Sequence, residues 1–113
     1  MDKTPITQSG ILPGTLDLLV LKTLSRGPLH GYGIAQFLHQ TTSSFLTVGE
    51  GTLYPALQRL VVNGWAVADW KQSETGRRAR YYTITDAGRK HLAASERDFD
   101  HMVNAIRMVL RTV

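Results

Sequence analysis

The chain contains no cysteine. That excludes disulfides, thiolate metal sites and cysteine nucleophiles, and leaves the protein indifferent to the redox state of its compartment. Long apolar runs are also missing. The longest strictly apolar stretches, such as Leu18–Leu21, are four residues, against the roughly 18 that a membrane span needs. The first residues (Met1, Asp2, Lys3, Thr4, Pro5) show no apolar core of a signal peptide. A cytoplasmic protein with no membrane partner is expected. There is no glycine-rich phosphate loop and no G-x-S-x-G elbow, and the acidic residues are scattered over expected helix surfaces and ends. No enzyme is expected. The histidines (His30, His39, His91, His101) include no i, i+4 pair that would ligate a metal from one helix, so no metal or other cofactor is expected. His30 is instead assigned a turn or packing role.

The chain does hold enough for one core: 113 residues, 42% of them hydrophobic, suit a single domain. Its formal charge of +4 is small but unevenly placed. Residues 1–70 carry Lys3, Lys22, Arg26 and Arg59 against Asp2, Asp17, Glu50 and Asp69, and cancel. Residues 91–113 set Arg97, Arg107 and Arg111 against Glu96, Asp98 and Asp100, and cancel again. The whole excess lies in residues 71–90, where Lys71, Arg77, Arg78, Arg80, Arg89 and Lys90 face only Glu74 and Asp86. A confined excess of one sign produces a local positive field, which bears on partners rather than on fold.

Along the chain, residues 1–11 read as a flexible arm. Thr15 is expected to cap a first helix carrying Leu16, Leu18, Leu19, Val20, Leu21 and Leu24, with Gly27-Pro28 as its stop. That helix is apolar on more than one face, so it needs cover from its own domain and from a second subunit, with Leu16 among the contacts. A second helix follows His30-Gly31-Tyr32-Gly33, with Ile34, Phe37 and Leu38 on one face, and ends at the polar run 41–44. Thr47-Val48-Gly49-Glu50 reads as a capping box opening a third helix. Its buried stripe is Leu53, Leu57, Leu60 and Val61, it closes at Asn63-Gly64, and Pro55 is expected to loosen or kink it.

The period then changes. Trp65–Trp70 and Ala79–Thr85 alternate aromatic and β-branched residues around a polar turn with Gly76, which predicts a β-hairpin with Tyr82 and Ile84 on one face and Tyr81 and Thr83 on the other. Trp65 and Trp70 flank its first strand as packing residues, Trp70 within reach of a dimer cavity. Thr85-Asp86-Ala87-Gly88 caps a last helix of roughly 27 residues. Leu92, Phe99, Ile106 and Val113 recur every seven residues on it, with Met102, Val103, Val109 and Leu110 between them. No later element exists to cover this stripe, so a second copy of the chain is the expected partner. Its polar face mixes acids with arginines, unlike a membrane-surface helix.

These elements predict a mainly α fold with a β-hairpin: a winged helix-turn-helix over residues 12–85, followed by a dimerisation helix over 86–113. In that arrangement the third helix enters the major groove and the hairpin, or wing, lies along the phosphates. Opposite its buried stripe the third helix presents Thr52, Tyr54, Gln58 and Arg59. Gln bonds adenine bidentately, Arg bonds guanine, and Tyr and Thr reach phosphate or the thymine methyl. The wing carries Lys71, Arg77, Arg78 and Arg80, placing the unbalanced charge where phosphates would lie.

The segments Gly14-Thr15-Leu16-Asp17-Leu18-Leu19-Val20-Leu21, Pro28-Leu29-His30-Gly31-Tyr32-Gly33-Ile34, Gly51-Thr52-Leu53-Tyr54-Pro55-Ala56-Leu57 and Gly76-Arg77-Arg78-Ala79-Arg80-Tyr81-Tyr82, in this order, resemble PadR-family transcriptional regulators from about Leu12 onward. The resemblance implies a bacterial, dimeric winged-helix repressor whose C-terminal helix contacts the other subunit. It also implies that Tyr54 and its neighbours approach DNA and that the arginine-rich wing touches the backbone. With one C-terminal helix the chain resembles the short subfamily. Some family members bind planar aromatic compounds between subunits through a tryptophan on that helix; here the helix offers Phe99 and methionines instead.

The expected function is sequence-specific DNA binding by a homodimeric regulator, a repressor on a pseudo-palindromic operator. The expected partners are double-stranded DNA, a second copy through Leu16, Leu92, Phe99, Met102, Val103, Ile106, Val109 and Leu110, and a small apolar or aromatic effector at the dimer interface. The rival is a winged-helix protein-interaction module that does not bind DNA.

Overall fold

A computed structural model describes residues 6–7 and 14–113. In chain order the elements are β1 (Ile6–Thr7), α1 (Thr15–Leu24), β2 (Leu29–His30), α2 (Gly31–Thr41), β3 (Leu46–Thr47), α3 (Glu50–Val62), β4 (Ala66–Gln72), β5 (Arg78–Ile84) and α4 (Asp86–Leu110). Three helices precede a hairpin and one long helix follows it, as the sequence predicts. Within the expected arm, β1 pairs in parallel with β3 (Ile6 with Leu46, Thr7 with Thr47); the rest of the arm, and Leu12 at the expected domain start, lie outside the described residues.

The core forms around α1. Leu16, Val20, Leu21 and Leu24 are buried with Ile34 and Leu38 of α2, Leu53, Ala56, Leu57 and Leu60 of α3, Tyr82 and Ile84 of β5, and Leu92 of α4. Among the described residues Thr23 is the one buried polar residue besides the core tyrosine Tyr82, and its hydroxyl donates to the Leu19 carbonyl at 2.8 Å, which removes the cost of an unpaired hydroxyl. One expectation is corrected here. Much of the cover of α1 comes from its own chain, since α2, α3, α4 and β5 all touch it, while Leu18 and Leu19 stay only partly buried. Leu16 (3% exposed) and Leu92 (6% exposed) are therefore core residues without surface to offer a second copy.

The helix starts use different devices from those expected. Gly14, at φ 83°, is the N-cap of α1 in place of Thr15, which is the first helical residue; a positive φ suits glycine because it has no Cβ to clash. The expected capping box is absent. Gly49 is the N-cap of α3, its carbonyl accepts from the Thr52 and Leu53 N–H groups, and Thr47 sits in β3 with its hydroxyl 3.5 Å from His39 Nδ1. Glu50 instead opens the helix, where its charge favours the helix dipole. His30 caps α2, its Nδ1 accepting from the Gly33 N–H at 2.9 Å. Helix α3 continues through Pro55. The bond that Pro cannot donate would have gone to the carbonyl of Gly51, one turn earlier.

The strands run further toward the turn than predicted, so the turn is tighter. Strands β4 and β5 pair antiparallel from Ala66–Ile84 to Gln72–Arg78, with β2 on the other edge of β5. Residues 73–77 close the hairpin, with Gly76 at φ 85° accommodating the turn. Residues directly opposite share a face. Ala66, Ala68, Trp70 and Gln72 therefore lie with Ile84, Tyr82, Arg80 and Arg78. The inner end of this face is core; its outer end projects beyond the body as the wing.

Helix α4 is anchored at its first turns. Thr85 accepts from the Gly88 N–H at 3.0 Å and donates to the Gly64 carbonyl at 2.7 Å. The His91 ring stacks on Trp65 with centroids 3.5 Å apart and planes 9° from parallel, which is the packing role expected of Trp65. Lys22 and Glu96 form an exposed ion pair at 3.4 Å. From Arg97 onward every residue except half-buried Val103 is exposed.

Candidate nucleic-acid interface

The wing, one face of α2 and Tyr54 of α3 line an open cleft of about 1070 Å³. Its wing wall carries Arg77 in the turn and Arg78 and Arg80 on β5, all exposed. They fall there because Arg78 and Arg80 alternate in register with Tyr82 and Ile84, so the face that is core inside the domain becomes cationic where the hairpin leaves it. Trp70, opposite Arg80, is 61% exposed, and the Arg78 guanidinium lies 5.6 Å from its ring centre. This contact restrains a long flexible side chain. Trp70 thus lines the wing cleft.

Tyr54 reaches the same cleft from α3. It is 47% exposed, and its phenol lies across the first residue of α2: a Cβ at Gly31 would sit 3.3 Å from the Tyr54 hydroxyl. Glycine at the start of α2 lets the two helices approach this closely. Tyr82, below the cleft floor, holds its phenolic proton more tightly than usual, chiefly through burial, partly opposed by the Arg80 charge and reinforced by Tyr54.

Other expected site residues fall elsewhere. Gln58 is exposed on α3 and Thr52 is half-buried at the edge of its outer face. Gly51, Pro55 and Gln58 follow i, i+4, i+7 spacing and share one exposed face, with open space around Gly51. Lys71 lies opposite Ala79, on the other face of the hairpin from Arg78 and Arg80, with its ammonium 5.8 Å from the centre of the Tyr81 ring. It does not line the cleft.

Arg59 is engaged within the chain. Its Nε and Nη2 donate to the two carboxylate oxygens of Asp17 at 3.1 and 2.8 Å. This bond holds the guanidinium pKa above its usual value, and the fork that would read a guanine instead ties α3 to α1. The sequence assigned Arg59 to the outer face correctly, but a contact across 42 positions leaves no local signal. The other omission is the α2 wall of the cleft, where Tyr32, Gln36 and Gln40 are exposed and line it. Their i, i+4, i+8 spacing marks one face of a helix; it was legible once that face, and not only the apolar one, was traced.

Three packed helices, a wing bearing unbalanced arginines and a cleft between wing and third helix define a winged-helix DNA-binding protein. Residues 20–94 match the transcriptional regulator PadR-like family, and the chain belongs to that family. It is similar to the negative transcriptional regulator PadR of Bacillus subtilis, with 27% identity over 77 residues, which are 68% of this chain and 42% of that protein. Among solved structures it is similar to a transcriptional regulator from Clostridium thermocellum (TM-score 0.77, 29% identity, 84% of this chain and 89% of the other). A PadR family regulator from Eggerthella lenta is equally similar in fold (TM-score 0.77, 29% identity, 88% of this chain and 85% of the other). The protein is accordingly a transcriptional regulator that works by binding DNA, not an enzyme. Among the described residues no helix is long and apolar enough to cross a membrane.

Proposed function

We propose that this regulator is a homodimeric, sequence-specific repressor of a pseudo-palindromic operator, acting in the cytoplasm. The observation that carries the reading is the outer half of α4. Phe99, Met102, Ile106, Val109 and Leu110 are 46%, 61%, 49%, 69% and 76% exposed, and their spacing keeps them on one side of the helix. Such a stripe on an otherwise polar helix is stable in water when a second apolar face covers it. An identical helix supplies that face through a two-fold axis, which also doubles the DNA-reading surface. Two copies would present their third helices about 34 Å apart, one turn of DNA. Leu16 and Leu92 take no part.

Thr52, Tyr54 and Gln58 contact the major groove in this reading, while Arg77, Arg78 and Arg80 neutralise phosphates. Lys71, on the far side of the hairpin, adds to the field without lining the cleft. Repression is supported by the Bacillus subtilis relative, itself a negative regulator. A small apolar or aromatic effector would lie between the two subunits, against the apolar surface of Met102, Ala105, Ile106, Val109 and Leu110. Binding there would shift the spacing of the two third helices if it favoured one dimer geometry over another.

Sedimentation of the intact chain tests the dimer: a species of twice 12.6 kDa is expected, and Ile106→Asp should convert it to a folded monomer. Gel-shift titration of the upstream region of its own gene should show binding that weakens with salt, each neutralised phosphate adding roughly −0.9 to the log–log slope. A monomer at micromolar concentration overturns the dimer. Absence of a salt-dependent shift favours the protein-interaction alternative.

A further inference from the structure

The three-stranded sheet has two unlike edges. On one side the edge is β2, two residues long; on the other it is β4, whose seven residues run from Ala66 to Gln72. Hydrogen bonds at both ends of the hairpin fix which backbone groups the β4 edge offers. The Thr85 N–H donates to the Trp65 carbonyl, and the Ser73 N–H to the Arg77 carbonyl. Bonded and non-bonded pairs alternate along an antiparallel ladder, so Trp65, Val67, Asp69, Lys71 and Ser73 turn their N–H and C=O groups toward β5. Ala66, Ala68, Trp70 and Gln72 turn theirs outward, where no strand among the described residues meets them. Native sheets blunt such an edge with a proline, a bulge or repelling charge. β4 has no proline, and its register with β5 is unbroken. Its charges are one of each sign: Asp69 and Lys71, both exposed, on the face away from Arg78 and Arg80.

We propose that β4 pairs edge to edge with β4 of a second copy, antiparallel about a two-fold axis at Trp70, so that two sheets become one. Charge complementarity selects both the occupant and the register. With Trp70 on the axis, Asp69 of each copy stands opposite Lys71 of the other, and Ala68 opposite Gln72. The neighbouring registers, centred on Asp69 or on Lys71, set like charges face to face, which destabilises a strand pair. The Trp70 register also brings outward-facing residues together, exchanging backbone bonds at Trp70 and at each Ala68–Gln72 pair. Residues directly opposite share a face, so the arginines of both wings lie on one side of the joined sheet. Lys71, which does not line the cleft, gains a partner. The edge uses none of the apolar stripe of α4 and therefore links α4-paired dimers instead of replacing them. A short ladder is marginal alone and forms where copies are concentrated, as on neighbouring DNA sites. That setting rests on the DNA-binding reading above; the pairing itself does not.

The chain has no cysteine, so a single introduced thiol reports its own neighbour. Full-length Trp70→Cys should cross-link between copies under mild oxidation, because bonded partners in an antiparallel pair lie about 5.5 Å apart at Cα, within disulfide reach. Asp69→Cys and Lys71→Cys would each stand about 8 Å from the same residue of the second copy and should cross-link slowly. Adding Lys71→Asp to Trp70→Cys should slow its cross-link at least about tenfold, since two attracting pairs become repelling ones. Adding Asp69→Lys as well should restore the rate. Circular-dichroism melts establish that each variant is folded. No cross-link at Trp70, equal rates at the three positions, a faster rate at Asp69 or Lys71, or indifference to charge reversal would each overturn the proposal. The parent should also fill cooperatively two neighbouring sites on a duplex selected from genomic fragments. Lys71→Asp should abolish that cooperativity, and the swapped pair, with net charge unchanged, should regain it. Independent filling by the parent would refute the pairing on DNA. If the parent binds no duplex, the DNA reading fails, and the cross-links still decide the edge.

Discussion

Replacing Gly88 with alanine should destabilise the protein by about 2 kcal/mol, although alanine is the better helix former. A Cβ at this position would lie 2.1 Å from the Trp65 carbonyl oxygen, 2.8 Å from Ile84 Cγ1 and 3.0 Å from the Trp65 carbonyl carbon. A carbon and a carbonyl oxygen ordinarily approach no closer than about 3.3 Å, so more than 1 Å must be recovered. The carbonyl cannot easily retreat. It accepts from the Thr85 N–H at 3.0 Å, the Trp65 N–H is held by Leu60 at 2.9 Å, and the Trp65 ring is stacked on His91. Helix α4 must lift instead, loosening Leu92 and the His91 stack. Overpacking of this kind costs about 3 kcal/mol at the upper end of its usual range, and the gain in helix propensity returns about 1. The net loss corresponds to a melting shift of roughly 8 °C for a chain of this size. Gly51→Ala is the control, since nothing lies within 4 Å of its Cβ position and the same change should stabilise by up to about 1 kcal/mol. Urea and thermal unfolding at one fixed protein concentration would measure both, because a dimer's midpoint depends on concentration. A Gly88→Ala protein within about 0.5 kcal/mol of the parent, or two glycine variants shifted in the same direction, would refute the reasoning.

Arg77→Ala and Arg78→Ala should weaken selected and random duplexes alike, each flattening the salt slope by about 0.9, whereas Gln58→Ala should change the preferred base at one position. Identical profiles for the two classes would undo the division between wing and third helix. Arg59→Gln should leave base preference unaltered, because its fork is held by Asp17; a new preference would show that the bond opens on DNA. A double-mutant cycle of Asp17→Asn and Arg59→Gln, read from urea midpoints, should give a coupling of about 0.5–1 kcal/mol, as suits a bidentate pair whose arginine stays half exposed, and no measurable coupling would remove its structural role. Tyr82 keeps its proton longer in the folded than in the unfolded chain. Its contribution is therefore fully present below the ordinary tyrosine pKa of about 10 and is lost as pH rises through the higher folded value. Tyr82→Phe should flatten this alkaline decline in urea unfolding, and an unchanged decline would exclude Tyr82 as its source.

Much of this protein is legible in its sequence because its signals are local. The stripe Leu53, Leu57, Leu60 needs only helical periodicity, and Tyr82 and Ile84 declare their face by alternation. The wing charge is legible because consecutive residues carry it. Long-range pairing hides the rest. Leu16 and Leu92 look like unpartnered apolar residues until their own chain proves to bury them. Arg59 looks like a free base reader until Asp17 meets it from another helix. The start of α3 was misread for a different reason: Thr47-Val48-Gly49-Glu50 satisfies the pattern of a capping box, but β3 holds Thr47 extended and the helix begins at Glu50. Tertiary pairing prevailed over a local preference of about 1 kcal/mol.

The same contrast separates the two ends of α4. At its start, Gly88, His91 and Leu92 fix the helix against Trp65, Ile84 and the core, so its direction is set by the folded domain. Beyond Glu96 every apolar residue except half-buried Val103 is exposed in the single chain. In the proposed homodimer, a helix rigidly aimed at one end and apolar along the other would convert any change in how two such stripes pack into a change in the distance between two third helices. Under that reading, a ligand of modest size between the two Met102–Leu110 stripes would alter DNA affinity without touching the DNA-facing cleft. It also explains why Gly88→Ala, far from any base contact, should lower operator affinity more than its stability loss alone accounts for.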